Sequence, residues 1–139
     1  MNSQLDDAIT DFNKALKLYA DDVRPYFERA QARLLLEDFN GALADYDSYI
    51  SKEKNDPFSR ARAHLERGLT KHLLGRDREG KEDVEEGLKL AGKDAEYLVP
   101  TLDLLRRRIK MMHSIRAAQQ RKVIGGLSNA NALTLYSRA

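Results

Sequence analysis

A 34-residue recurrence constrains this chain more than any other feature. Ala8-Ile9-Thr10-Asp11-Phe12-Asn13-Lys14-Ala15-Leu16 returns as Ala42-Leu43-Ala44-Asp45-Tyr46-Asp47-Ser48-Tyr49-Ile50, with small, aliphatic, acidic and aromatic positions in the same order. A weaker copy, Gly80-Lys81-Glu82-Asp83-Val84-Glu85-Glu86-Gly87-Leu88, follows 38 residues after the second. The additional four residues fall at the polar turn Lys54-Asn55-Asp56-Pro57, where an insertion costs little. A period of this length means one supersecondary unit used repeatedly, and each unit must bury its apolar face on a neighbour.

The second and third copies are each preceded by another helical segment. Pro25 suits the first turn of a helix running to about Leu36, Glu37-Asp38-Phe39-Asn40 turns the chain, and a second helix ends near Ser51. Pro57 or Ser59 starts a helix to about Leu74, with the turn at Gly75-Arg76-Asp77. Tyr26, Ala30, Leu34 and then Phe39, Leu43, Tyr46, Ile50 recur every three to four residues, so each helix carries one apolar stripe. The expected fold is all-α: a right-handed α-solenoid of antiparallel helix hairpins with a C-terminal capping helix. Residues 1–22 are the second half of a truncated unit, 23–56 and 57–93 are full units with a short insertion before the latter, 94–122 form a basic capping helix, and 123–139 form a flexible tail or short helix.

At this point the chain resembles the tetratricopeptide repeat (TPR) family, whose 34-residue unit has aromatics at positions 4 and 24 and small residues at 8, 20 and 27. Counted from Val23, Tyr26, Ala30, Ala42 and Tyr46 match, and Tyr49 stands where a small residue is usual. Counted from Ala61, the third unit offers His64, Gly68, Gly80, Val84 and Gly87, and the first keeps only Ala8, Phe12 and Ala15. The resemblance covers roughly residues 3 to 92. It implies a protein-binding scaffold or adaptor that holds a peptide or helix in the concave face lined by the first helix of each pair. The groove residues it indicates are Arg24, Phe27, Glu28, Gln31, Leu34 and Leu35, then Arg62, Leu65, Glu66, Leu69, His72 and Leu73, with Leu34, Leu35 and Leu73 read as core packing. A subset of the family clamps the C-terminal carboxylate of chaperones with lysine, asparagine and arginine. Here Phe27 and Leu65 stand where lysine is needed, Glu28 and Glu66 would repel a carboxylate, and only Arg62 fits, so that activity is expected to be absent.

Two irregularities accompany the repeat. The helix from about Ser3 to Tyr19 lacks the first helix of its own hairpin, so its stripe of Leu5, Ile9, Phe12 and Leu16 is expected to be partly uncovered. The rest of a longer protein, of which this chain would be a fragment, is the favoured cover. A second protomer or the tail is the alternative, which makes those four residues self-association candidates and an oligomerisation module with an empty groove the second functional reading. At the other end, Thr101 or the Val99-Pro100 step is expected to open or bend the capping helix, whose stripe Leu102, Leu105, Ile109 and Met112 would lie on the last hairpin, and Gly125-Gly126 to break the structure after about Gln120.

The net charge of +2 hides a division. Residues 1–103 hold 16 basic and 22 acidic side chains, a net −6, whereas the last 36 residues hold eight basic and no acidic ones, a net +8. Arg106, Arg107, Arg108 and Lys110 are the candidate docking cluster, read first as a solvated face and second as a strip for an acidic protein. Without interleaved aromatics, nucleic acid and membrane are the weakest readings. His64, His72 and His113 lack the spacing of a metal pair, and no nucleophile elbow, phosphate loop or zinc-hydrolase motif is present, so no catalytic, cofactor or metal residues are assigned and the chain is read as a non-enzyme. The absence of cysteine excludes disulfide and thiolate chemistry, and with no apolar run of roughly 20 residues the expected location is intracellular, in the cytoplasm.

Overall fold

The computed structural model describes the backbone of residues 2–138 and the side chains of residues 3–126. Six helices follow one another: α1 (Asn2–Leu18), α2 (Arg24–Leu35), α3 (Phe39–Lys52), α4 (Pro57–Leu73), α5 (Asp77–Ala91) and, after a 3-10 turn at Gly92–Asp94, α6 (Ala95–Arg138). No strand occurs among the described residues. Asp38 and Asp56 cap α3 and α4 by accepting from the backbone N–H of Gly41 and Ser59, and Pro25 and Pro57 occupy first turns, where the missing N–H is no loss.

Two hairpins, α2–α3 and α4–α5, turn in the same way. Glu37 (φ 63°) and Gly75 (φ 80°) take the left-handed conformation at equivalent positions, 38 residues apart. In each, the following N–H reaches back to a carbonyl of the last helical turn, Asp38 to Arg33 and Arg76 to Lys71, at 2.8 Å. Glycine takes this conformation freely, whereas Glu37 does so at a cost of about 1 kcal/mol. Inside the hairpins small residues set the helix separation: a Cβ added at Gly80 would come within 2.7 Å of the Gly68 carbonyl oxygen. Where the pair is Ala30 and Ala42, Phe27 fills the adjoining space edge-on against Tyr46 and Tyr49, with ring centroids 5.8 and 5.3 Å apart.

A charged stitch repeats alongside this packing. Buried Asp45 on α3 receives Arg29 through two hydrogen bonds (2.6 and 2.9 Å) and Arg33 through a third (2.8 Å), both from α2. Asp83 on α5, 38 residues on, receives Arg67 through two bonds of 2.8 Å, Lys71 at 2.7 Å and His64 at 3.1 Å, all from α4. Each arginine also reaches the preceding second helix: Arg29 donates to Asn13 of α1, and Arg67 to Asp47 of α3. One guanidinium thereby ties a hairpin together and to its neighbour.

The C-terminal region departs from expectation in three ways. First, neither Thr101 nor the Val99-Pro100 step opens the helix: α6 begins at Ala95, one residue from the expected 94, after the turn at Gly92 (φ 55°) redirects the chain, and Pro100 is accommodated inside it at the loss of one backbone hydrogen bond. Second, Gly125-Gly126 does not break it. Two glycines cost about 1 kcal/mol each relative to alanine, which weakens a helix without supplying a competing turn, so 123–138 continue α6 and form no separate tail. Third, Leu105 and Ile109 lie buried in one cluster with Leu34 and Leu35 of α2 and Leu69 of α4. The helix therefore crosses the first helices of both hairpins and does not lie on the last hairpin alone.

Two outcomes test this account. Gly80→Ala is expected to destabilise the protein by about 1–3 kcal/mol in chemical denaturation, opposite in sign to alanine's helix propensity, because the new methyl meets the Gly68 backbone. Burial pushes the Asp83 carboxyl up, but His64, Arg67 and Lys71 outweigh it and hold the group well below the usual carboxylate range. The unfolded chain then binds that proton more readily, so the stabilisation is complete above the unfolded pKa and lost as pH falls toward the folded one. Urea unfolding from about pH 5 downward should show the parent losing stability more steeply than Asp83→Asn; equal slopes would contradict the stitch.

Candidate functional site

The concave face is built by α2 and α4, and α6 divides it. Over the C-terminal halves of both helices Leu105 and Ile109 cover the apolar surface. Over the N-terminal halves a cleft of about 150 Å³ stays open, lined by Arg24, Phe27, Glu28, Tyr49, Phe58, Ser59 and Arg62. The Arg62 guanidinium sits 4.9 Å from the Phe27 ring centroid, within cation–π range. Arg24 is exposed and tied to Asp22 at 2.7 Å.

The groove residues indicated by the family resemblance thus separate. Arg24, Phe27, Glu28 and Arg62 line the open cleft. Leu65, Leu69 and Glu66 are buried. Glu66 accepts from Gln31 (2.8 Å), the Tyr46 hydroxyl (2.9 Å) and Arg62 Nε (2.9 Å), closing a polar network between the hairpins. Burial pushes the Glu66 carboxyl up against the opposing pull of Arg62, Gln31 and Tyr46, and burial together with Glu66 raises the Tyr46 hydroxyl well above its ordinary value. Glu66 and half-buried Gln31 therefore hold the hairpins in register, and of the two glutamates expected to repel a carboxylate only Glu28 faces the opening. His72 lies elsewhere, paired with Asp77 at 2.7 Å beside a cleft of about 420 Å³ that also touches Leu69, Val84 and Leu102. Tyr49 and Phe58 were missed by sequence reasoning. The signal for Tyr49 was its bulk where the repeat usually has a small residue, and Phe58 stood in plain view after Pro57 without a repeat position to assign it.

The distal contact of α6 falls on the strained turn. Arg116 donates to the Leu35 carbonyl at 2.6 Å and pairs with Glu37 at 3.0 Å, and His113 meets Glu37 at 2.6 Å. Burial raises the Glu37 carboxyl, but Arg116 and His113 outweigh it and leave it lowered. The docking cluster does not form one free strip: Arg106 and Arg107 both pair with Asp103 on their own helix, Arg108 borders a cleft beside α1, and Lys110 is exposed. Leu5, Ile9, Phe12 and Leu16 on α1 are half-buried. Among the described residues no group of acids and histidines is arranged to hold a metal, and no helix is long and apolar enough to cross a membrane.

Paired helices of 12 to 17 residues, joined by equivalent turns and stitched at equivalent residues, define a helical-hairpin repeat protein. Comparison with known proteins gives the same class a family: the chain is 33% identical over 88 residues to "Tetratricopeptide repeat protein 36" of Danio rerio, covering 63% of this chain and 47% of the relative. The protein of that name from Homo sapiens is 31% identical over 62% of this chain and 46% of its own length, and that from Mus musculus 30% identical over 79% and 62%. The chain is related to these tetratricopeptide repeat proteins. It spans about half the length of the curated relatives it matches first. No family model matches it, and no solved structure matches it significantly.

The anchor at Glu37 can be tested by Glu37→Gly, which relieves the left-handed backbone while deleting both ion contacts with α6. The two effects oppose each other, so the melting temperature should move little. Amide exchange over residues 112–120 should nevertheless quicken, because that stretch has lost both contacts with Glu37 and keeps only Arg116 on the Leu35 carbonyl and the packing of Met112.

Proposed function

We propose that this helical-repeat interaction module binds a short segment of a partner protein in the open half of its concave face. The observation that carries this reading is the cleft at Phe27, Tyr49, Phe58 and Arg62, which α6 leaves uncovered. Its chemistry is an aromatic floor under one guanidinium, with Arg24 and Glu28 at the rim, and aromatic and arginine side chains are the groups that dominate such interfaces. A partner residue with an apolar body would seat on Phe27 and Phe58, with polar groups meeting Arg24, Glu28 and Arg62. The work is binding, with no catalytic step and no cofactor. Glu28 at the rim disfavours a C-terminal carboxylate, so chaperone tails are not the proposed ligand. Arg106, Arg107, Arg108 and Lys110 are first a solvated face; should they dock anything, an acidic protein comes ahead of nucleic acid or membrane.

The second reading, a stacking module whose groove binds nothing in trans, draws on the burial of Leu105 and Ile109 over α2 and α4. Peptides selected from a random library on the immobilised full chain separate the two. Phe58 is 42% exposed, so Phe58→Ala should leave the melting temperature nearly unchanged yet weaken a selected peptide about tenfold or more by calorimetry. Failure to enrich any peptide, or equal binding by Phe58→Ala and Arg24→Ala, would favour the stacking module.

A further inference from the structure

Helix α6 is held differently from the helices of the two hairpins. Those close on buried Asp45 and Asp83, whereas among the described residues no buried carboxylate receives α6. It is fixed at three separated points instead. Near its start, Leu98 lies in a buried cluster with Ala61, Leu65 and Ala91. In its middle, Leu105 and Ile109 share a cluster with Leu34, Leu35 and Leu69. Beyond Met112 its polar contacts fall on the turn at Leu35 and Glu37, where the Glu37 and His113 side chains are 31% and 63% exposed. Ion pairs so open to water hold weakly. Between the first point and the second, Pro100 removes a backbone hydrogen bond, and a cleft of about 420 Å³ opens there, lined by Val99 and Leu102 of α6 with Leu69 and Val84. Residues 118–126 are exposed throughout. The arrangement is a seated base, a weakened joint, a covering arm and a latch.

The size of the open cleft shows what the arm is for. At about 150 Å³ it holds little more than one large side chain, whereas binding pockets run to about 300 Å³ or more and partner surfaces to about 800 Å². A tight partner therefore needs the part of the concave face that α6 covers. We propose that α6 beyond Pro100 is a strap that occupies this part in cis, and that a partner helix carrying the same stripe displaces it. The inference rests on the concave face being the binding face. The strap itself specifies the partner: apolar residues spaced as Leu102, Leu105, Ile109 and Met112, then a cation four positions on, as Arg116, to meet Glu37. Tethering gives the strap an effective concentration on the order of mM, so a helix in trans succeeds only when the latch or the stripe beneath it is weakened.

The absence of cysteine allows a clean test. Glu37→Cys with His113→Cys places two thiols at the latch. A short bifunctional thiol reagent joins them and shuts the strap, while capping them separately leaves it free. The probe is a synthetic peptide of residues 101–118 with blocked ends, titrated into the full chain by fluorescence anisotropy. It should bind the capped form one to one, about tenfold or more tightly than the crosslinked form. Ile109→Ala loosens the strap and leaves the surface beneath it intact. It should melt lower than the parent yet bind the peptide about tenfold or more tightly, whereas a purely structural α6 would give the lower melting alone. On that variant, Arg116→Glu in the peptide should weaken binding, because Glu37 then faces a like charge. Circular dichroism verifies that each variant folds. No binding to either loosened form, or equal binding to the crosslinked and capped forms, would overturn the strap. Phe58→Ala should leave binding of this peptide unchanged, and the cleft at Phe58 stands or falls on library peptides, so the two readings fail separately.

Discussion

Two buried carboxylates, Asp45 and Asp83, organise the molecule. A carboxylate removed from water is costly unless its oxygens are fully matched, and here each is met by a bidentate arginine and a second cation from the partner helix. Deleting one side of such a pair costs roughly 3–5 kcal/mol, enough to threaten a domain of this size. The same contacts set rotation and register, because a guanidinium fork fits a carboxylate in one orientation. With register set, small residues face small residues, the helices close up, and the aromatic side chains have one place to go. The third bond of each arginine, to Asn13 or Asp47, carries the register to the next unit, so stacking and hairpin closure depend on one side chain.

The helix α6 spends its apolar stripe on the concave face. In an extended array that face would be open along its length; here Leu105 and Ile109 fill the C-terminal half, and Glu37 holds the far end through Arg116 and His113. Glu37 has a price in backbone strain that its counterpart Gly75 does not, and what it provides in return is a side chain at that turn. The division of charge along the sequence has a partial counterpart in this contact: Arg116 of the carboxylate-free segment meets the acidic body at Glu37. Arg106 and Arg107 are neutralised closer to home, by Asp103.

Much of the architecture was legible because repeats expose it twice. Ala42 and Gly80, Tyr46 and Val84, and the turn residues Glu37 and Gly75 lie at fixed offsets, and packing positions at fixed offsets dictate packed hairpins. The site was less legible. Phe27 and Arg62 were readable as surface because the first helix of a pair must present something on its concave side. Leu65, Glu66 and Leu69 occupy equivalent positions and are buried, since the neighbouring hairpin and α6 reach them and no local pattern encodes that. The acids Asp11, Asp45 and Asp83 were visible as a recurrence, while their role was not: an aspartate on a helix is ordinarily solvated, and only the approach of Arg29 or Arg67 from another helix makes it a stitch.

By itself, then, the sequence determined the helical hairpin, its period and its turns, because these follow from local propensity and from spacing repeated along the chain. Only the tertiary structure decided where α6 lies, which half of the concave face it leaves open, and which charges are buried. Those depend on long-range contacts such as Arg116 with Glu37, and on the gathering of Leu105 and Leu34 into one buried cluster, between residues far apart in the chain, and no periodic pattern within a helix records them.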